Sequence, residues 1–173
     1  SVCTAIVLSF MFIPGETEIA LMNFREKKYE AAHKIYARRL SAGDWSVSTV
    51  MPLIQIHSHS GDILTAIEIL ERYIKLNPDN LEALTLVGTL YKDAQLSRKY
   101  LHTLERLMQL APNKQGLREL LGLYAYSSQS QKRINVLRKL IEQYEHDAND
   151  IFQLAYLLAR QGQRAEAAQI LIR

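Results

Sequence analysis

The chain has 173 residues, 48% of them hydrophobic, with 21 Lys and Arg against 18 Asp and Glu and a net charge of +3. This hydrophobic fraction excludes a disordered chain, and the near balance of interspersed charges argues against a nucleic-acid footprint. Only seven Gly and four Pro residues favour helix over a sheet fold, and the single Cys3 excludes an internal disulfide or a multi-thiolate metal site.

The first element is an uncharged, apolar N-terminal segment, residues 1–12, which is followed closely by Pro14 and Gly15. The segment is too short to span a bilayer. Two interpretations stay open: it is the end of a membrane anchor or signal whose beginning precedes Ser1, or it packs on the helices that follow.

From residue 13 onward the sequence repeats itself. Leu70 and Pro78 in one segment correspond to Leu104 and Pro112 in the next, so that the two prolines lie 34 residues apart. Apolar residues recur every three or four positions within each segment, which predicts amphipathic helices. The residue before a proline disfavours the helical conformation, so we expect one helix to end at Asn77.

This pattern resembles the tetratricopeptide-repeat (TPR) family, whose repeat of 34 residues is a pair of antiparallel helices. The resemblance implies an all-α, right-handed solenoid of antiparallel helix pairs, a TPR superhelix. About five repeats are expected, at residues 13–46, 47–80, 81–113, 114–147 and 148–173, the last one incomplete. We expect close helix packing at Ala66, Gly88 and Gly122. The unfinished fifth repeat and the apolar N-terminal segment lead us to expect end-to-end self-association.

The densest group of charges lies in the first repeat. It consists of six basic residues: Arg25, Lys27, Lys28, Lys34, Arg38 and Arg39. One interpretation is a solvated helix face whose long side chains cover apolar surface. The other is a basic patch near a membrane, which attracts anionic lipid head groups or an acidic partner.

Residues with catalytic spacing are not found in the sequence, so we predict that the chain is not an enzyme and holds no cofactor or metal ion. His57 and His59 come nearest to a metal-binding pair, but their i,i+2 spacing directs the two rings to different faces of a helix. We therefore expect a packed His57 and a solvated His59. The other histidines, His33, His102 and His146, are scattered along the chain.

In TPR proteins that bind peptides, the first helix of each repeat lines an inner groove. The resemblance carries this role onto ten residues of the present chain: Met51, Gln55, Thr85, Thr89, Lys92, Arg118, Tyr126, Phe152, Tyr156 and Arg160. Aromatic and Arg side chains are enriched among the residues that dominate binding energy. The Lys/Asn set with which some TPR domains hold a terminal carboxylate is absent from the corresponding positions.

We therefore predict a non-catalytic scaffold for protein–protein interaction, the alternative being a module that contacts carbohydrate or lipid surfaces. A weaker resemblance is to bacterial membrane-attached TPR proteins, including the periplasmic scaffolds of Pel-type exopolysaccharide export. It implies a multiprotein assembly for secretion or exopolysaccharide export and a membrane-attached or periplasmic location, with a cytoplasmic location as the alternative. The protein partners are not identified by the sequence, and no nucleic-acid partner is expected.

Overall fold

A computed structural model of the chain describes residues 15–144 and 147–172. Every regular element in these ranges is an α-helix, which confirms the all-α prediction. In chain order the helices are α1 Glu16–Arg25, α2 Tyr29–Ser41, α3 Val47–His59, α4 Ile63–Leu76, α5 Leu81–Asp93, α6 Ser97–Leu110, α7 Lys114–Tyr126, α8 Ser130–Gln143, α9 Ala148–Arg160 and α10 Arg164–Ile172. The N-terminal segment, residues 1–12, and His146 lie outside the described residues.

The helices form five successive pairs, and the turn inside each pair contains one residue with positive φ. Gly61 and Gly162 hold this position in the second and fifth pairs, with φ of 79° and 85°. Lys27, Gln95 and Ser128 hold it in the other three pairs, with φ of 60°, 57° and 56°. A residue with a Cβ atom is strained in this left-handed region, whereas glycine is not. Three of the five turns therefore carry a backbone cost that glycine would relieve.

Polar side chains begin the first helix of the later pairs. Asn80 Oδ1 accepts the backbone N–H of Ala83 at 2.9 Å, and Asn113 Oδ1 accepts that of Gly116 at 2.8 Å. Asp147 caps α9 in a similar way. These caps satisfy donors that the first turn of a helix leaves without an intrahelical partner. The start of each of these helices is thus determined locally.

The chain divides into two compact units, residues 1–78 and 79–173. In the first unit α1 packs on α2, α2 on α3, and α3 on α4. One core cluster of this unit consists of the buried residues Ala20, Ala32, Tyr36, Leu53 and Ile56, with Phe24, Tyr29 and Ile69 among those packed against it. Burial of such apolar surface, at about 25 cal/mol per Å², is the main term that holds the helix pairs together.

In the second unit each helix from α5 to α9 packs on the one that follows it in sequence. One core cluster of this unit draws on α6 to α10, and the most completely buried residues of the cluster are Leu117, Ile134, Leu137, Leu140 and Leu158. This stacking of neighbours is the packing scheme of helical repeats, in which stability is roughly a sum of nearest-neighbour interfaces.

Small residues have different roles in the helices. Ala66 is completely buried, as expected for a close approach between helices. At Gly88 there is room for a methyl group, since an added Cβ atom would lie 3.7 Å or more from its neighbours. Gly122 is exposed, and an added Cβ atom would have no described neighbour within 4 Å, so the expectation of close packing there is wrong. The close approach is instead at Gly116, where a Cβ atom would overlap the sulfur of Met108.

Candidate protein-binding surface

The ten residues predicted to line a groove fall in both compact units. Met51, which is half-buried, and Gln55, which is exposed, lie on α3 in the first unit. The other eight residues lie on α5, α7 and α9 in the second unit. The second unit also contains the three exposed aromatic residues of the set, so it holds the better-defined candidate surface.

Three of the predicted residues line one cleft of the second unit. Thr85, Thr89 and Lys92 project from α5 into a cleft of about 510 Å³ between α5, α6 and α7. Lys92 Nζ lies 2.8 Å from Glu119 Oε1 on α7 and 5.4 Å from the ring centre of Tyr100 on α6. Hydrogen bonding to Lys92 is the largest of the causes that lower the pKa of Glu119. The charges of this pair offset each other, so the cleft presents a mixed, nearly neutral lining.

The two threonine hydroxyls in this cleft are already used as donors. Thr85 Oγ1 donates to the carbonyl of Leu81 at 2.7 Å, and Thr89 Oγ1 donates to that of Thr85 at 3.2 Å. Each hydroxyl oxygen keeps acceptor capacity, and each side chain also exposes a methyl group. A ligand in this cleft would therefore find acceptors and apolar contacts at both threonines.

Arg118 connects the beginnings of α7 and α9 within the second unit. Its guanidinium donates to Asp150, which is buried, and to Asp147 Oδ2 at 3.1 Å. The hydrogen bond to Asp150 is the largest of the causes that raise the pKa of Arg118. A buried carboxylate is costly unless it is paired, so the structure uses Arg118 to neutralise Asp150. This arrangement gives Arg118 a structural role on the surface where a binding role was predicted.

The exposed aromatic residues are the most distinctive part of this surface. Tyr126, the last residue of α7, is 94% exposed, and Phe152 and Tyr156 on α9 are 64% and 61% exposed. Phe152 and Tyr156 are four residues apart, so they share one face of α9. Arg160 follows one turn later, with its guanidinium carbon 5.8 Å from the ring centre of Tyr156. We call Tyr126, Phe152 and Tyr156 the aromatic surface.

The basic residues of the first repeat are partly neutralised by acidic neighbours. Lys28 lies 2.7 Å from Glu26, Arg38 pairs with Glu16, and Arg39 Nη2 lies 2.7 Å from Asp44. Arg25, Lys27 and Lys34 are exposed on α1, the following turn and α2. These acidic neighbours therefore weaken the positive potential around three of the six basic residues.

A network of polar side chains that sequence reasoning missed lies in the second unit. Glu105 on α6 accepts hydrogen bonds from Tyr124 at 2.6 Å, from Lys132 at 2.7 Å and from His102 at 3.0 Å. Burial alone would raise the pKa of Glu105, but these hydrogen bonds outweigh it and lower the pKa to about 2. Tyr124 lies 19 residues and Lys132 lies 27 residues from Glu105 along the chain. No short-range pattern in the sequence could have linked them.

None of the helices within residues 15–144 and 147–172 is both long enough and apolar enough to cross a bilayer.

No protein-family model and no curated protein matches the chain. Solved structures do match it. A crystal structure of the MamA protein is similar with a TM-score of 0.55 and 19% identity, over 90% of this chain and 85% of that chain. A tetratricopeptide repeat protein from Parabacteroides merdae is similar with a TM-score of 0.55 and 17% identity, over 90% of this chain and 61% of that chain.

A third similar structure is that of Naa15/Naa10 bound to HypK-THB. The TM-score is 0.60 and the identity 14%, over 91% of this chain and 24% of that chain. Identities of this size show the fold and nothing further. Together with the five helix pairs, these similarities show that the chain has the tetratricopeptide-repeat fold, as the sequence resemblance predicted.

Proposed function

We propose that the chain is a non-catalytic scaffold that binds other proteins, and that its second unit carries the binding surface. The observation that supports this proposal most strongly is the aromatic surface, where three large rings are 61% to 94% exposed. Exposed aromatic residues are typical of interaction sites, because a bound partner removes their large apolar area from water at a low cost in side-chain entropy. The similarity to a solved multiprotein complex, Naa15/Naa10 bound to HypK-THB, is consistent with this proposal.

The residues of the surface would have different roles in binding. The aromatic surface would supply the apolar anchors, and Arg160 would lie beside Tyr156 at the edge of the contact. The cleft that contains Thr85, Thr89 and Lys92 would accept a smaller part of the partner. A peptide segment that presents apolar side chains among both acidic and basic ones fits this mixed lining best.

The proposal is tested by comparing two variants of the whole chain in pull-down experiments from native extract. In the first variant Tyr126, Phe152 and Tyr156 are all replaced by Ala. In the control variant Leu64 and Leu76, which are 70% and 59% exposed on α4 of the first unit, are replaced by Ala. We expect the aromatic variant to lose partners that both the wild type and the control retain. Equal recovery of the same partners by all three proteins would contradict the proposed surface.

The alternative function is contact with carbohydrate or lipid surfaces. Exposed aromatic rings also stack on sugar rings, and five of the six basic residues of the first repeat are exposed. This function is distinguished from protein binding by titrating the chain with polysaccharide and with anionic vesicles. The fluorescence of the tyrosines and Trp45 reports binding in each titration. A saturable change that the aromatic variant loses would favour the carbohydrate function over the scaffold.

The finer assignment to secretion or exopolysaccharide export, with a membrane-attached or periplasmic location, rests on the sequence resemblance alone. Neither the described residues nor the similar structures support it. End-to-end self-association also stays a proposal, for which Leu171 and Ile172 on α10 offer apolar side chains that are 50% and 85% exposed. Light scattering that reports a monomer over a wide range of concentration would contradict self-association.

A further inference from the structure

A pair of histidines that the sequence did not connect lies between α2 and α3 in the first unit. The Nε2 atoms of His33 and His57 are 3.3 Å apart, and the two rings meet edge to face at an interplanar angle of 79°. The His57 side chain is only 16% exposed, and His33 is half-buried. We propose that His33 and His57 form a binding site for one Zn²⁺ ion, which they bind through both Nε2 atoms.

The distances between the two rings fit a shared tetrahedral ion. Two nitrogen ligands at the usual Zn–N distance of about 2.05 Å lie about 3.3 Å apart in tetrahedral geometry, which is the separation observed. An ion on the line from each ring centre through its Nε2 atom would place the ring centres about 5.2 Å apart. The ring centres are 5.1 Å apart, whereas a straight head-to-head hydrogen bond would separate them by about 5.6 Å.

The second ring nitrogen of His57 has the partner that a metal-binding histidine needs. His57 Nδ1 lies 3.1 Å from Asp62 Oδ2. The same carboxylate also accepts the backbone N–H of Thr65, at Oδ1 and 3.3 Å. An ionised carboxylate only accepts hydrogen bonds, so Nδ1 carries the proton and Nε2 of the neutral ring has a free lone pair. A carboxylate behind the ligand in this way orients the ring and raises its basicity.

The proton balance of binding follows from this tautomer. Without metal, His33 must donate its Nε2 proton to the lone pair of His57 Nε2. On binding Zn²⁺, His33 loses the proton at Nε2 to solvent and takes one up at Nδ1, so both rings stay neutral and no net proton is released. Both nitrogens then present lone pairs to the ion, as metal coordination by imidazole requires.

The surroundings of the pair determine what else the ion would meet. His33 lines a cleft of about 360 Å³ together with Glu30, Lys34, His59 and Ser60. Near His33, the ammonium group of Lys34 opposes a cation and the carboxylate of Glu30 favours one. No group of three or more His, Cys, Asp or Glu side chains is arranged to hold a metal among the described residues. The proposed site therefore has two protein ligands, and solvent completes the coordination sphere.

The site would join the second helix of one repeat to the first helix of the next. Imidazole nitrogens are ligands that zinc prefers, whereas Mg²⁺ prefers oxygen. Because a metal that binds the native state shifts the unfolding equilibrium, Zn²⁺ should raise the melting temperature of the chain and Mg²⁺ should not.

The test uses the untagged whole chain, freed of metal, and titrates it with Zn²⁺ by calorimetry. We expect one ion per chain, and at least about tenfold weaker binding in His33→Gln and in His57→Gln. His102→Gln serves as the control, because His102 is an exposed histidine of the second unit. Imidazole NMR signals of His33 and His57 should also shift on addition of Zn²⁺ in the wild type, which requires no variant to fold.

Three results would overturn the proposal. The first is a wild-type chain that does not bind Zn²⁺ more tightly than Mg²⁺. The second is zinc binding that survives both His33→Gln and His57→Gln. The third is zinc binding that is lost in His59→Gln but retained in His33→Gln, which would assign the ion to His57 and His59 instead.

Discussion

Replacement of Glu105 by Gln tests how much the buried polar network of the second unit stabilises the fold. The Glu105 side chain is 16% exposed and accepts hydrogen bonds from Tyr124, Lys132 and His102. Gln keeps the shape of the side chain and an acceptor oxygen but removes the negative charge. The variant therefore isolates the charge-assisted part of the network.

The size of the effect follows from the pKa of Glu105. In the folded chain this pKa falls from 4.5 to about 2. A shift of about 2.5 units, at about 1.36 kcal/mol per unit, corresponds to about 3 kcal/mol of stability at neutral pH. Because the amide of Gln retains part of the hydrogen bonding, we expect Glu105→Gln to lower the free energy of unfolding by about 2 to 3 kcal/mol at pH 7.

The dependence on pH has a definite sign. A carboxylate whose pKa is lower in the folded state stabilises the fold above its unfolded pKa and ceases to do so as the pH falls through its folded pKa. The difference between wild type and Glu105→Gln should therefore be complete at pH 7 and should shrink as the pH falls from 4.5 towards 2.

Urea denaturation at pH 7 and at pH 3, followed by circular dichroism, measures this difference. Glu82→Gln, which changes an exposed carboxylate on α5, is the matched control, and we expect it to alter stability by less than about 0.5 kcal/mol. The reasoning would be refuted if Glu105→Gln were as stable as the control variant at pH 7. It would also be refuted if the loss were the same at both pH values.

Four further variants test other parts of the fold, each by chemical denaturation. Arg118→Ala should lower the free energy of unfolding by about 2 to 4 kcal/mol, because it leaves the carboxylate of Asp150 buried without its cation. A decrease below about 1 kcal/mol would show that another group compensates the charge of Asp150. Gln95→Gly should stabilise the chain by about 0.5 to 1 kcal/mol by relieving a φ of 57°, and a destabilised variant would contradict the strain argument. Ala66→Leu should destabilise the first unit by about 1 to 3 kcal/mol through overpacking. Gly88→Ala should be neutral or stabilising, because its site has room for a methyl group. Equal changes in stability in the two variants would refute the packing described here.

Sequence alone determined the helix pairs and the fold class. Helix formation and termination depend on residues a few positions apart, such as the apolar residues spaced by three or four positions or the Asn77–Pro78 step at the end of α4. Asn80, two residues after this proline, caps α5 by accepting the N–H of Ala83, so the next helix also begins at a local signal. The period of 34 residues is likewise visible without coordinates, and it led to the TPR resemblance that similar structures confirm.

Tertiary structure decided which side chains meet across helices. His33 and His57 are 24 residues apart, and Arg118 and Asp150 are 32 residues apart, so their contacts depend on how each helix is rotated against its neighbour. The periodicity of a helix shows which of its faces is apolar. It does not show which residues of a neighbouring helix will lie opposite the polar residues at the edge of that face. For the same reason the sequence could not tell that Gly122 is exposed while Gly116 lies against Met108. Local patterns specify the helices, and only the packed interfaces select the pairs of residues that form sites between them.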